Sequence, residues 1–276
     1  MVGTTMETQN RTASRNDVGL VFEMDQISLK NALDVFRTSI EQNTVVFSAA
    51  RDGVRIAALD ASRIKLGVEY IDAKKCVKYS NIEEHAFGIN LDDLKGALMH
   101  LKGNLRFSQK DEKVVVTGAD GFTKTFKVVD EVVKVSIPSI DYRTGAVVDG
   151  KELYTAASIA ADMADDISFV ADGRRLIVSA KRDADTETEF PIKILNGGFN
   201  GQDGMKATYS SEEFLKLIKP IRKGSLMVRY IKTTENTEDG KTTESHEVAP
   251  VKINFKIGDE GKEDVKGFVM LAPRVQ

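Results

Sequence analysis

Two stretches of this sequence answer each other at a displacement of 120 residues, and that repeat constrains the fold more than any other feature. Ser48, Asp52, Gly53 and Arg55 in SAARDGVRI recur as Ser168, Asp172, Gly173 and Arg175 in SFVADGRRL. Each copy sets an Asp-Gly turn between two β-rich runs, which is a hairpin signature. An amphipathic helix is expected before each hairpin. One spans Leu29–Gln42, with Leu33, Phe36 and Ile40 at helical spacing, and the other spans Lys151–Met163. A second helix is expected after each hairpin. Asn90-Leu91-Asp92-Asp93-Leu94 is matched, 120 residues on, by Ser210-Ser211-Glu212-Glu213-Phe214. Both read as an N-cap, acidic first-turn residues that suit the helix dipole, and then an apolar stripe. The stripes are Leu91, Leu94, Leu98, Leu101 and Phe214, Leu217, Ile218, Ile221, and Gly103 and Gly224 stop the two helices.

More strands follow each second helix: Leu105–Ser108, Lys113–Thr117 and Phe122–Val129, then Leu226–Ile231, Val251–Ile257 and Gly267–Leu271. The link between the first two is short in one copy (QKDE) and long in the other (KTTENTEDGKTTESHE), where extra length costs little. The expected organisation is a flexible tail at 1–17, an N-terminal domain at 18–129, a connector at 130–141 broken by Pro138, and a C-terminal domain at 142–276. Two helices cannot cover both faces of a sheet this size. The fold class is therefore α+β, with tandem similar domains, each a β-sheet layer carrying two helices on one face.

Catalytic constellations are not evident. His85, His100 and His246 stand in unrelated contexts without ligand spacing. No Gly-x-Ser-x-Gly turn occurs, and Gly197, Gly198, Gly201 and Gly204 lack the Gly-Lys-Ser/Thr of a phosphate loop. Asp92/Asp93 and Glu212/Glu213 are accounted for by helix starts, and Asp165/Asp166 by a turn. The expectation is no enzyme, no cofactor and no metal. Cys76 is the only cysteine, which fits a reducing compartment, and no apolar run reaches the roughly 18 residues of a membrane span. The expected setting is intracellular and free of membrane. The first 18 residues lack the apolar core of a secretory signal.

A net charge of −3 confines any nucleic-acid contact to a local basic face. Lys216, Lys219 and Lys223 recur on one helical face, flanked by Arg222; Lys95 and Lys102 share a face, as do Lys30 and Arg37. One such helix would be an ordinary solvated face. Three in an acidic protein point to a concave surface that meets phosphates. The helix at 151–163 departs from the pattern, with Thr155, Ser158 and Asp162 on its polar side. No aromatic–basic interleaving suggests reading of single strands.

Several segments resemble the proliferating cell nuclear antigen (PCNA) family of DNA polymerase sliding clamps. ALDASRIKLGVEYI (Ala58–Ile71) resembles one wall of that family's partner pocket, and FGINLDDLKGAL (Phe87–Leu98) its strand-to-helix junction. SIPSIDY (Ser136–Tyr142) is similar to the end of its interdomain connector, and PVKINFKIGDEG (Pro250–Gly261) and FVMLAPRVQ to its last strands. The resemblance runs from about Val18 to the C-terminus.

It implies a homotrimeric ring of three chains lined by twelve helices, which encircles duplex DNA without sequence preference and raises polymerase processivity in replication and repair. DNA polymerase, clamp loader, flap endonuclease and DNA ligase would be its partners, through PCNA-interacting (PIP) peptides. The implied pocket comprises Leu59, Ile64, Leu66, Val135, Ile137, Pro250, Met270 and Pro273, with Arg63 and Ala272 at its rim. The implied subunit contacts join the edge strand bearing Phe122, Thr123, Thr125 and Phe126 to that bearing Glu189, Phe190, Ile192 and Ile194. The polar third helix keeps one subunit of a heterotrimeric or checkpoint-type clamp open as an alternative, as well as a non-ring interaction module. The extra N-terminal tail and the lack of an acidic C-terminal extension suggest an archaeal source, with a cytoplasmic or nucleoid location; a eukaryotic source would place it in the nucleus.

Overall fold

Each half begins with a strand that turns directly into a capped helix. The computed structural model describes residues 21–80, 85–110, 112–129, 135–142, 145–183, 186–195, 204–238, 241–257 and 265–274. The expected tail at 1–17, the start of the connector at 130–134 and Gly197, Gly198 and Gly201 lie outside the described residues.

Strand β1 (Val21–Asp25) ends on Asp25, whose carboxylate accepts the Ser28 N–H at 2.9 Å and opens α1 (Gln26–Val35). The helix runs on as a π turn, Phe36–Ile40, which Glu41 closes at φ 55°. Then come β2 (Thr44–Ala50), β3 (Gly53–Leu59), β4 (Lys65–Asp72), the short β5 (Lys78–Ser80) and β6 (His85–Asn90). Asn90 caps α2 (Leu91–Leu98) by accepting the Asp93 N–H at 3.0 Å. β7 (Asn104–Lys110), β8 (Lys113–Thr117) and β9 (Thr123–Lys127) complete the half.

The second half repeats this order. β10 (Ala146–Asp149) leads into α3 (Gly150–Met163), capped by Asp149, and β11 (Asp166–Ala171), β12 (Arg175–Lys181), β13 (Glu187–Lys193) and β14 (Ala207–Ser210) follow. Ser210 caps α4 (Ser211–Ile218), and β15 (Ser225–Glu238), β16 (Lys241–Ile257) and β17 (Val265–Leu271) end the chain's regular structure.

The strands do not form one sheet per half, as the sequence pattern suggests. They form three antiparallel sheets, ordered β5-β1-β7-β8-β9, β10-β15-β16-β17-β4-β3-β2-β6 and β13-β12-β11-β14. The first half therefore contributes a five-strand and a four-strand block, and the second half two four-strand blocks. The middle sheet fuses one block from each half through the pairing of β17 with β4. Hydrophobic alternation reports which face of a strand is buried, but not which distant strand lies beside it.

The four helices share the core side of this assembly: α1 lies against α2, α3 against α4, and the π turn against α4. Gly67 of β4 lets the helix layer approach, since a Cβ there would meet Phe36 and Ile40 side-chain atoms at 3.0–3.1 Å. Phe22, Phe47, Phe87 and Phe107 stack in the first half, and Phe169, Tyr209, Phe214 and Tyr230 cluster in the second. All eight side chains are fully enclosed, each worth about 1.5–3 kcal/mol of transfer free energy. The long link between β15 and β16 is not an open loop. Its strands pair in continuous register from Ile231↔Val248 to Glu238↔Lys241, forming a two-stranded ribbon beyond the sheet.

Candidate functional site

Three surfaces take up the residues singled out by the sequence. On the helix side, Lys30, Arg37, Lys102, Lys219 and Lys223 are exposed. Arg222 lies over the Tyr154 ring at 5.0 Å and donates to the Lys219 carbonyl, which orients its guanidinium. Lys95 and Lys216 stand in a different electrostatic setting. Lys95 pairs with Asp34 across to α1. Lys216 meets Glu212 at 3.0 Å, Glu213 at 3.1 Å and Glu41 at 3.4 Å, so carboxylates on the same face compensate its charge. Hydrogen bonds to Glu212 and then Glu213 push its pKa above the ordinary lysine value. α3 presents Lys151, Glu152, Thr155 and Asp162 to solvent.

Beneath Lys216 lies Lys65, which the sequence did not mark. Its side chain is 3% exposed, and its Nζ sits 2.6 Å from both Glu41 and Glu213. Burial alone would lower its pKa, but the hydrogen bonds to Glu213 and Glu41 outweigh that and raise it. For Glu213, burial likewise opposes ionisation, and the bonds from Lys65 and Lys216 win, holding its pKa down. Glu41 is also lowered, chiefly by its bond from Lys65. The cluster ties β4 of one half to α4 of the other. Ser39 reinforces it by donating to the Leu217 carbonyl at 2.8 Å.

The second surface is the outward face of the eight-stranded sheet. Val46, Ala57, Leu66, Val68, Phe268 and Met270 form an apolar cluster there, separate from the main core, and Val135 of the connector packs on it. Leu59, Ile137, Ile140 and Tyr142 border the cluster. Five of the pocket residues implied by the sequence, Leu59, Leu66, Val135, Ile137 and Met270, thus come together. Ile64 is 39% exposed in the loop before β4, where its carbonyl accepts the Ala272 N–H at 2.9 Å. Arg63 is exposed at φ 59°, and Ala272 and Pro273 follow β17 half-buried. The Pro250 carbonyl accepts the Tyr142 hydroxyl, and the Asp141 carbonyl accepts the Thr233 N–H at 3.1 Å, so the connector is fastened to the base of the ribbon.

Sequence reasoning missed Val46, Ala57, Val68 and Phe268. The available signal was that β2, β3, β4 and β17 are apolar at both odd and even positions, the mark of strands buried on two faces. Lys252 sits over the Phe268 ring at 4.1 Å, and its pKa is lowered, first by burial and then by Arg229.

The third surface consists of two sheet edges. β9 ends the five-stranded sheet and β13 ends the four-stranded one. Thr123 and Thr125 point outward, Phe126 is buried, and Phe122 just before β9 is 67% exposed. On β13, Glu189 is exposed, Phe190 is half-buried against the core, and Ile192 is buried, as is Ile194 just beyond the strand. A groove of about 770 Å³ runs between α2 and β9, with Met99, His100 and Phe122 on its walls.

No family model matches the chain. The DNA polymerase sliding clamp of Pyrococcus furiosus is 25% identical over 245 residues, covering 83% of this chain and 88% of the relative. Among solved structures, the PCNA of A. fulgidus bound to the C-terminal region of FEN-1 superposes with a TM-score of 0.73 at 16% identity, over 93% of this chain and 99% of that one. The PCNA of Thermococcus kodakaraensis gives 0.69 at 18% identity, over 92% and 100%. The PCNA2-PCNA3 complex of Sulfolobus tokodaii gives 0.67 at 17% identity, over 93% and 100%. In sequence this chain is a relative of the archaeal DNA polymerase sliding clamps, and its fold is that of the PCNA structures.

Proposed function

We propose that this chain is a DNA sliding clamp subunit, three copies of which close head to tail into a ring around duplex DNA, with no catalysis of its own. One observation carries the reading. The joint between the halves pairs β17 with β4, and by repeat order their counterparts are β9 and β13, both left as free edges. A chain with one joint made and the two halves of the same joint unmade is complementary to itself. Its copies can add head to tail and close if the rotation allows.

Transferring the inner register outward pairs Phe122 with Phe190, Thr123 with Glu189, Lys124 with Thr188 and Thr125 with Glu187. An aromatic pair, Phe122 with Phe190, would then face each other across the seam. Topological retention needs only weak phosphate contacts, which the exposed Lys30, Arg37, Lys102, Lys219 and Lys223 supply.

The outward apolar cluster is read as the seat of a short partner peptide with an aromatic-plus-aliphatic plug, of the PIP kind, by which polymerase, flap endonuclease, ligase and clamp loader would be recruited. Light scattering is expected to give three times 30.4 kDa, about 91 kDa. A stable monomer that no second clamp chain converts to a ring would overturn the reading. A monomer that such a chain does convert would favour one subunit of a mixed ring, for which the polar face of α3 speaks. A PIP peptide is expected to bind, and to bind about tenfold more weakly to Leu59→Ala or Met270→Ala; binding indifferent to both would refute the pocket.

A further inference from the structure

Beside the apolar cluster, one residue pair further along the same strands, the outward face changes character. Lys256 of β16 stands opposite Lys266 of β17, Lys266 opposite Tyr70 of β4, Tyr70 opposite Arg55 of β3, and Arg55 opposite Ser48 of β2. Five adjacent strands make a row about 19 Å long at the usual strand spacing. Two clefts flank it and share Lys266. One, of about 570 Å³, adds Lys75, Asp52 and Asp72; the other, of about 720 Å³, adds Lys223 and has no carboxylate on its walls.

Two lysines face each other directly across strands, an arrangement that disfavours the pairing. Lys266 has no carboxylate within ion-pair reach among the described residues. The Arg55 Nε is enclosed without a hydrogen-bond partner, although its Nη2 donates to Ser48 at 3.3 Å. Tyr70, 43% exposed, gives the middle of the row an amphipathic surface.

We propose that this row is a second docking surface, which takes the acidic flank of the same partner peptide whose plug fills the apolar cluster. The inference rests on the plug reading above. An acidic polypeptide fits better than nucleic acid because the row abuts an apolar patch within one residue pair, so a single extended segment can span both.

The test uses the full-length protein and three labelled peptides in fluorescence anisotropy: a plug with neutral flanks, the same plug with four Asp/Glu on one side or the other, and the acidic flank alone. At about 50 mM salt an acidic flank on one side is expected to tighten binding about tenfold, with the gain lost at about 0.5 M. The double variant Lys256→Gln, Lys266→Gln is expected to erase that gain and leave the neutral peptide unaffected. Equal affinity of flanked and neutral peptides overturns the proposal. Tighter lysine-dependent binding of a single-stranded oligonucleotide overturns it as well. If the neutral plug fails to bind, the plug reading falls. Lysine-dependent binding of the flank alone would then still support the row as an acidic-peptide site, whereas no binding by either would overturn both.

Discussion

Glu69 lies on β4 with 1% of its surface exposed, and neither carboxylate oxygen has a hydrogen-bond partner. Its strand partners are Ile56 and Gly267, so it stands at the joint of the two halves, and among the described residues no cation compensates it. Burial raises its pKa well above the ordinary carboxylate value. The folded protein therefore keeps a proton that the unfolded chain releases above about pH 4.3. Stability contributed by that proton is complete below the unfolded pKa and declines as pH rises toward the folded one, by at most about 1.4 kcal/mol per pH unit. Glu69→Gln is expected to remove this decline and to be more stable than the parent at pH 8. Urea unfolding across pH 5–8 checks it, and parallel pH profiles for the two proteins would refute it.

The Lys65 cluster has the opposite sign. Glu41 and Glu213 are depressed, so their contribution is present above the unfolded pKa and is lost as pH falls through their folded values. Lys65→Ala leaves Glu41 and Glu213 with Lys216 as their remaining cation and is expected to cost about 1.5–3 kcal/mol at neutral pH, with a smaller loss at acid pH where they are protonated. Denaturation at pH 7 and pH 4 separates these outcomes.

At the scale of elements, local chemistry was readable and pairing was not. Asn90 and Ser210 open their helices where the sequence placed them, because capping needs only neighbours in the chain. By contrast, α2 ends at Leu98 and α4 at Ile218 with a 3-10 turn to Ile221, so the left-handed Gly103 and Gly224 lie beyond the helix ends and do not stop them. The first helix was legible from Leu29, Leu33 and Phe36, but its opening at Gln26 depends on Asp25, and its end on a π turn that spacing does not reveal. The repeat itself held with a drift. Helix caps Asn90 and Ser210 correspond at 120 residues, whereas Phe47 and Phe169 occupy matching core positions 122 apart. The Ser48–Ser168 match is thus two residues out of structural register, while the Asp-Gly turns recur because both hairpins need one. Gly53 leaves no room for a side chain, since a Cβ would lie 2.1 Å from the Ile71 carbonyl oxygen.

Edge position also sets tolerance. Thr125→Pro on the free β9 is expected to leave the monomer fold intact while abolishing the trimer. Val269→Pro, inside the β16–β17–β4 pairing, is expected to cost about 3 kcal/mol or more. Circular dichroism melting alongside light scattering distinguishes the two.

For the whole molecule, net charge misleads and distribution informs. A chain of net charge −3 keeps exposed cations on the helix side and a separate row of them on the outward side of the eight-stranded sheet. Reversing Lys219 and Lys223 to Glu is expected to shorten retention on nicked circular DNA about tenfold without changing trimer mass. Unchanged retention would move the phosphate contacts elsewhere. The apolar cluster was only half legible for a related reason: Leu59, Leu66 and Met270 belong to recognisable segments, but Phe268 and Val68 acquire their role only when β17 meets β4 across about 200 residues of sequence.

That same meeting decides where a ring of such chains can come apart. The inner seam is covalently tethered, braced by Lys65 between Glu41 and Glu213, and locked by Ser39 on Leu217. At the outer seam the position of Lys216 is taken by Gly96, and that of Lys65 falls at Thr186 just before β13. Six joints would alternate between reinforced and plain. In the proposed ring this would divide hinge from latch: three seams would hold through every cycle, and three would be free to open.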